Sequence, residues 1–266
     1  MDDIIQEFED KVVEIDTYLN FIWLIDDLDN IPNLSHLSDR KVLNQQTQEV
    51  ECKLKSVLNT NNTYEISDNL PKTLKASTFL LLYNLVEATI NATFNEYFAA
   101  FNKQGFKFKD CNEGIQKIWL RYKHKLFQDR HTKNDDYILR ILKKISNEII
   151  DIEDIKRNNR IKSDFDSYKI KVKDNEISGN LNPKKINDLS IKFGLPKFDK
   201  KCQGLAITTA KRNVLAHGEE TFAKIGNDFS VEQLIQYKIE IVKYLRAFLN
   251  EIKTYIDNQN FLINNS

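Results

Sequence analysis

Apolar residues recur at three- and four-residue steps along most of this chain, the spacing of one buried helix face. Ile4, Phe8, Val12, Ile15, Leu19, Ile22 and Trp23 predict an amphipathic helix over residues 2–30, closed by Pro32. A thinner stripe (Val42, Val50, Leu54, Val57, Leu58) predicts a more polar helix over 38–59, and 59–71 read as a loop ending at Pro71. Over 72–102 apolar side chains surround the axis almost completely, which marks a central, buried helix. Its polar positions, Asn84, Glu87, Asn91 and Asn95, fall on one narrow stripe. Asn112–Leu126 and Asp136–Lys156 read as two further helices. Asn182-Pro183 opens another that ends at Gly194. Lys200–His217 stops at Gly218, and Ser230–Asp257 carries the longest regular stripe. The link between them, 219–229, fits a small hairpin.

Composition agrees with long helices. Only 7 Gly and 4 Pro occur in 266 residues, too few for the turns of a β-sandwich or for a collagenous or Pro-rich chain. The fold class is all-α. Residues 1–70 read as an N-terminal helical hairpin packed on a core, and 71–266 as a helical domain carrying a basic insertion at 157–198. Residues 156–173 hold seven bases and two acids. The alternation Tyr168-Lys169-Ile170-Lys171-Val172-Lys173 within them is enough for a short β-hairpin.

The formal net charge is zero, yet residues 1–30 carry ten acids and one base. The rest of the chain is correspondingly basic, which permits a nucleic-acid partner without demanding one. Cys52, Cys111 and Cys202 are far apart and odd in number, so a disulfide framework or a zinc site is not expected and a cytoplasmic location fits. The acidic N-terminus has no apolar stretch of the signal-peptide kind, and no run approaches the ~20 residues that span a bilayer. No membrane contact and no cofactor is expected. Walker, GxGxxG, GxSxG and HExxH motifs are absent, which disfavours NTPases, Rossmann dehydrogenases, serine hydrolases and zincins.

Candidate chemistry concentrates in Arg212-Asn213-Val214-Leu215-Ala216-His217-Gly218, an Arg and a His separated by four residues at a helix end. A neutral imidazole, with an ordinary pKa of ~6.5, can take a proton at physiological pH. A guanidinium can grip a phosphate through two hydrogen bonds. The plainer alternative is that His217 only meets the last carbonyls and the helix dipole, with Arg212 on the surface. At ~100° per residue, Arg212 and His217 lie ~140° apart around the axis, while Asn213 and His217 share a face. One helix end makes an awkward pocket; two meeting at a two-fold axis make a better one. Glu87 either faces this pocket or caps a neighbouring helix, and Asn84 carries the same ambiguity. Lys169, Lys171, Lys173 and Lys211 are candidate RNA contacts, or a solvated face. The pair Asp26 and Asp29 either binds a divalent cation or forms a solvated acidic helix end; no further acidic motif supports the metal, so no metal site is assigned. His36, His124 and His131 lack the Arg spacing and read as structural or exposed.

The 212–218 segment resembles the Arg-polar-x-x-x-His signature of the HEPN superfamily of helical ribonucleases. Ala76–Ala88 looks like the central helix of the MAE-type HEPN group. Ile177–Asn182 followed by Phe193-Gly194-Leu195 is similar to that group's inserted segment. The resemblance covers roughly residues 70–257 and implies a HEPN-like helical bundle with extra N-terminal helices. It further implies a metal-independent endoribonuclease, toxin or effector of a toxin–antitoxin or phage-defence system. His217 would be the general base, Arg212 the electrostatic clamp, and Asn213 the group that orients phosphate or imidazole. RNA is the implied substrate, a homodimer with a composite site the implied assembly, and an antitoxin or regulatory protein the implied restraint. The alternative is a non-catalytic HEPN module that binds a nucleotide or a partner protein.

Overall fold

A computed structural model describes residues 1–28, 69–102, 110–116 and 180–263. Six helices are named among them: α1 (Asp2–Leu28), α2 (Asn69–Asn102), α3 (Pro183–Lys192), α4 (Gln203–Ala216), α5 (Phe222–Asn227) and α6 (Val231–Asp257). The described residues contain no strand, only an isolated antiparallel bridge between Cys111 and Leu262. The all-α expectation holds. The expected helices over 38–59 and 136–156, the alternating segment 168–173 with Lys169, Lys171 and Lys173, and Asp29, His36, His124 and His131 lie outside the described residues.

Helix α2 is the axis of the bundle. Ala76, Phe79, Val86, Ile90, Phe94 and Tyr97 are fully buried along it, and α1, α4, α5 and α6 all pack against it. Three buried threonines on α2 return their hydroxyls to the carbonyl one turn back: Thr78 to Leu74, Thr89 to Leu85 and Thr93 to Thr89. That is how these three hydroxyls are satisfied inside the core. Pro71, expected to close a loop, stands instead in the first turn of α2, where a missing N–H costs nothing.

Part of the acidic face of α1 is engaged by other helices. Asp2, Glu9 and Asp16 pair with Lys253, Arg246 and Lys238 of α6. The seven-residue steps on α1 and the reversed order on α6 mean that the two helices run antiparallel. Arg246 grips Glu9 in a fork, with bonds of 2.8 and 2.6 Å. Three acids of the first helix thus find partners on α6 and Asp26 finds Lys75 of α2 at 3.1 Å, while Glu7 pairs with Lys11 within α1.

Residues 180–198 are core rather than appendage. Leu181, Ile186, Phe193 and Phe198 are buried, and Phe193 meets Phe94 and Phe98 edge-on at 5.3 and 5.5 Å. Asn182 caps α3 by accepting the Lys185 N–H, with Pro183 at its start, as the sequence suggests. At the other end Gly194 adopts φ +72° and lies against Gly114; a Cβ on Gly114 would sit 2.7 Å from the Gly194 Cα. The Tyr97 and Tyr255 hydroxyls donate to the Phe193 and Gly194 carbonyls and tie this corner to α2 and α6.

The 219–229 link is helical, not a hairpin. Thr221 caps α5 by accepting the Lys224 N–H, and Ile225 is buried. Gly226 is there for contact: a Cβ on it would lie 1.7 Å from the Lys72 carbonyl oxygen. Ser230 then opens α6 with a reciprocal capping box to Gln233.

Candidate active site

Helix α4 carries the Arg-His segment and starts at Gln203, with Cys202 and His217 as its flanking residues. Its termination is a backbone affair. Glu219 N–H donates to the Val214 carbonyl and Gly218 N–H to that of Leu215, with Gly218 at φ +68°. These two bonds form a Schellman motif, and the left-handed residue is glycine because a Cβ is disfavoured there. The last carbonyls are therefore closed by amides. Among the described residues the imidazole of His217 makes no hydrogen bond or ion pair, and the residue is exposed. The capping role that the sequence leaves open for this ring is filled by Gly218 and Glu219.

Arg212 points the other way, into the bundle. Its guanidinium carbon lies 4.5 Å from the centre of the Tyr83 ring on α2. Its Nη1 donates to the Asn213 carboxamide oxygen at 3.3 Å, and the Asn213 amide donates to Asn180 Oδ1. Asn180 sits at φ +61°, a left-handed conformation that Asn tolerates better than most residues. Two further bonds fix the 180–182 turn beneath it. Leu181 N–H donates to the Tyr83 hydroxyl at 3.2 Å, and Thr209 of α4 donates to the Leu181 carbonyl at 2.9 Å. Arg212, Asn213, Tyr83 and Asn180 thus form one contact group built from three separate stretches of chain.

The electrostatics fit this packing. Burial is the main cause that pushes the Tyr83 phenol above its ordinary pKa, and the Leu181 bond opposes it. Glu87 raises it further while Arg212 lowers it, so both charges lie within electrostatic reach of the ring. Glu87 is half-buried and makes no hydrogen bond to Arg212 or His217 among the described residues. Asn84 is exposed on α2 and is not drawn into the group. Lys211 turns to the far side of α4, its ammonium 5.4 Å from the Phe229 ring.

The structure brings together Arg212 and Asn213 of the expected site. It does not bring the His217 ring into hydrogen-bond contact with either: the angular offset along α4 separates it from Arg212, and Asn213, although on the same face, turns its amide to Asn180. Two residues that sequence reasoning missed complete the group. Tyr83 hides among the apolar positions of α2, its only signal being a hydroxyl on a core-facing aromatic. Asn180 precedes the Leu181-Asn182-Pro183 turn and carries no signal beyond that.

Among the described residues no group of three or more His, Cys, Asp or Glu is placed to hold a metal ion. Asp26 of the acidic pair is held by Lys75 at 3.1 Å. No described helix is long and apolar enough to cross a membrane.

A family model described as MAE_28990-like HEPN matches residues 2–261. Comparison with curated proteins and with solved structures gives no significant match. The match takes in α1 and all the helices that build the Arg212 group, so the chain belongs to the MAE_28990-like HEPN family.

Proposed function

We propose that this protein is a metal-independent endoribonuclease that acts as a homodimer, in the manner of the toxin or effector of a toxin–antitoxin or phage-defence system. The observation that carries the reading is the division of labour at the end of α4: Arg212 is held on Tyr83 by Asn213, while the imidazole of His217 is left exposed with no partner among the described residues. A histidine with only a capping task would not be left so.

In the reaction, neutral His217 takes the proton of a ribose 2′-hydroxyl. The freed oxygen attacks the adjacent phosphorus, and the bond from phosphorus to the 5′-oxygen breaks. The leaving oxygen takes a proton, giving a 2′,3′-cyclic phosphate and a 5′-hydroxyl end. Arg212 neutralises the charge that grows on the phosphoryl oxygens. Asn213 spends its carboxamide on Arg212 and Asn180, so its task is to position the guanidinium. The ~140° between Arg212 and His217 around α4 favours a site shared by two copies, each supplying a helix end. Free ribonuclease harms its own cell, so a partner protein that restrains it is part of the reading.

Expression in a bacterial host tests this. Wild type is expected to arrest growth and fragment cellular RNA, and His217→Ala to do neither. If both proteins leave growth and RNA untouched while a partner or nucleotide still binds both, the chain is a non-catalytic binding module.

A further inference from the structure

An open groove of about 800 Å³ runs between α3 and the first turns of α4 and ends at the Arg212 group, with Asn180 and Asn213 in its lining. Its volume falls within the ~300–1,000 Å³ typical of small-ligand sites, so a nucleotide with its flanking phosphates fits. Three lysines line it: Lys184 from α3, and Lys200 and Lys201 from the approach to α4. All three are exposed, and none forms an ion pair among the described residues. The only carboxylate in the lining, Asp199, is taken by Lys197 at 2.6 Å. Along α4 the lining is Gln203, Ala206, Thr209, Ala210 and Asn213, one face of the helix. Small side chains keep that face low, and the stripe ends on the residue that holds Arg212.

We propose that this groove is a phosphate-binding track for a single strand of RNA, leading the strand along α4 to Arg212. The inference rests on the ribonuclease reading for its direction, since it takes Arg212 as the reacting end. Lysines free of ion pairs above a low floor suit a flexible polyanion, because each phosphate neutralised releases counterions and needs no fixed geometry; the Lys200 ammonium also lies 5.2 Å from the Phe198 ring. The strand's main contacts are then Lys184, Lys200 and Lys201.

The test uses the full chain with His217→Ala, so that cleavage does not consume the probe. A fluorescent ten-nucleotide single-stranded RNA is titrated against this protein, against the same protein with Lys184→Gln, Lys200→Gln and Lys201→Gln, and against one with Lys243→Gln on α6. The triple variant is expected to bind on the order of tenfold or more weakly. The slope of log affinity against log salt is expected to shrink by about 2, at ~0.7 per lost phosphate contact. Lys243→Gln is expected to match the parent. Matching thermal melts for all variants exclude misfolding as the cause. Equal binding by parent and triple variant overturns the groove and leaves the ribonuclease reading intact. Displacement of the RNA by AMP at equimolar phosphate makes the ligand a free nucleotide and overturns the strand. Loss of binding in the triple variant, together with no RNA cleavage by the chain that retains His217, keeps the groove and sinks the ribonuclease reading alone.

Discussion

The guanidinium of Arg212 and the ring of Tyr83 are stacked 4.5 Å apart, although 129 positions separate them in the chain. The same tyrosine accepts the Leu181 N–H through its hydroxyl. One side chain therefore sets both the arginine and the turn that holds Asn180. Tyr83→Phe keeps the face and removes the acceptor, leaving a buried N–H unmet at a cost of about 1–3 kcal/mol in stability. Tyr83→Leu also removes the stack, worth ~0.5–2 kcal/mol. The expected result is a lower melting temperature for both, with RNA cleavage largely kept in Tyr83→Phe and reduced in Tyr83→Leu. Equal cleavage by both variants would mean that the stack does not position Arg212.

Two glycines are needed for opposite reasons, and alanine separates them. At Gly226 a Cβ collides with the Lys72 carbonyl, so Gly226→Ala must push α5 off α2. A loss on the order of 3 kcal/mol is expected, as for an overpacked core. At Gly218 nothing lies within 4 Å, and only the backbone conformation, φ +68°, resists a side chain. Gly218→Ala is expected to cost ~1–2 kcal/mol. Urea unfolding of both variants checks the order.

The α1–α6 ladder makes stability fall in acid. Hydrogen bonding to Arg246 is the main cause that holds the Glu9 carboxyl below its ordinary pKa, and Lys253 does the same for Asp2. A carboxyl depressed in the folded state stabilises it above the unfolded pKa, and that contribution disappears as pH falls through the folded value. Thermal stability is expected to hold from pH 7 to 5 and to drop below about pH 4, by less in 1 M salt. The Glu9 pair is mostly exposed, so Glu9→Gln at pH 7 is expected to cost only ~0.2–1 kcal/mol. A melting temperature independent of pH between 5 and 3 would contradict the ladder.

Burial pushes the Cys111 thiol up to about 12, and Cys202 rises for the same reason. Both thiols therefore form less thiolate than a free cysteine does. Both are expected to resist iodoacetamide in the folded protein and to react on unfolding in urea, as peptide mapping by mass spectrometry shows. Fast labelling of either in the native state would contradict its burial.

Local signals in the sequence proved the most readable. Periodic stripes located α1 and α6, an almost wholly apolar circumference located α2, and the cap residues Asn182, Gly218 and Ser230 marked helix ends because capping is decided within a few residues. The hairpin expected at 219–229 is instead the short helix α5, capped by Thr221, with Gly226 packed on Lys72 far away in sequence. Residues 157–198 read as a basic insertion, yet Phe193 and Phe198 belong to the core, since a basic run says nothing about the aromatic residues that follow it. The Arg-His segment was visible as a spacing. Its support was not: Tyr83 and Asn180 reach Arg212 and Asn213 only through tertiary packing. The α1–α6 ion pairs were hidden likewise, since a stripe of acids does not name the bases it will meet.

The central claim is that His217 and Arg212 cleave RNA without a metal. The most direct measurement is incubation of purified protein with labelled total RNA in excess EDTA, beside His217→Ala, with analysis of the product ends. The account predicts cleavage by the wild type alone, leaving 2′,3′-cyclic phosphates. Equal cleavage by both proteins, or none by either, would contradict it.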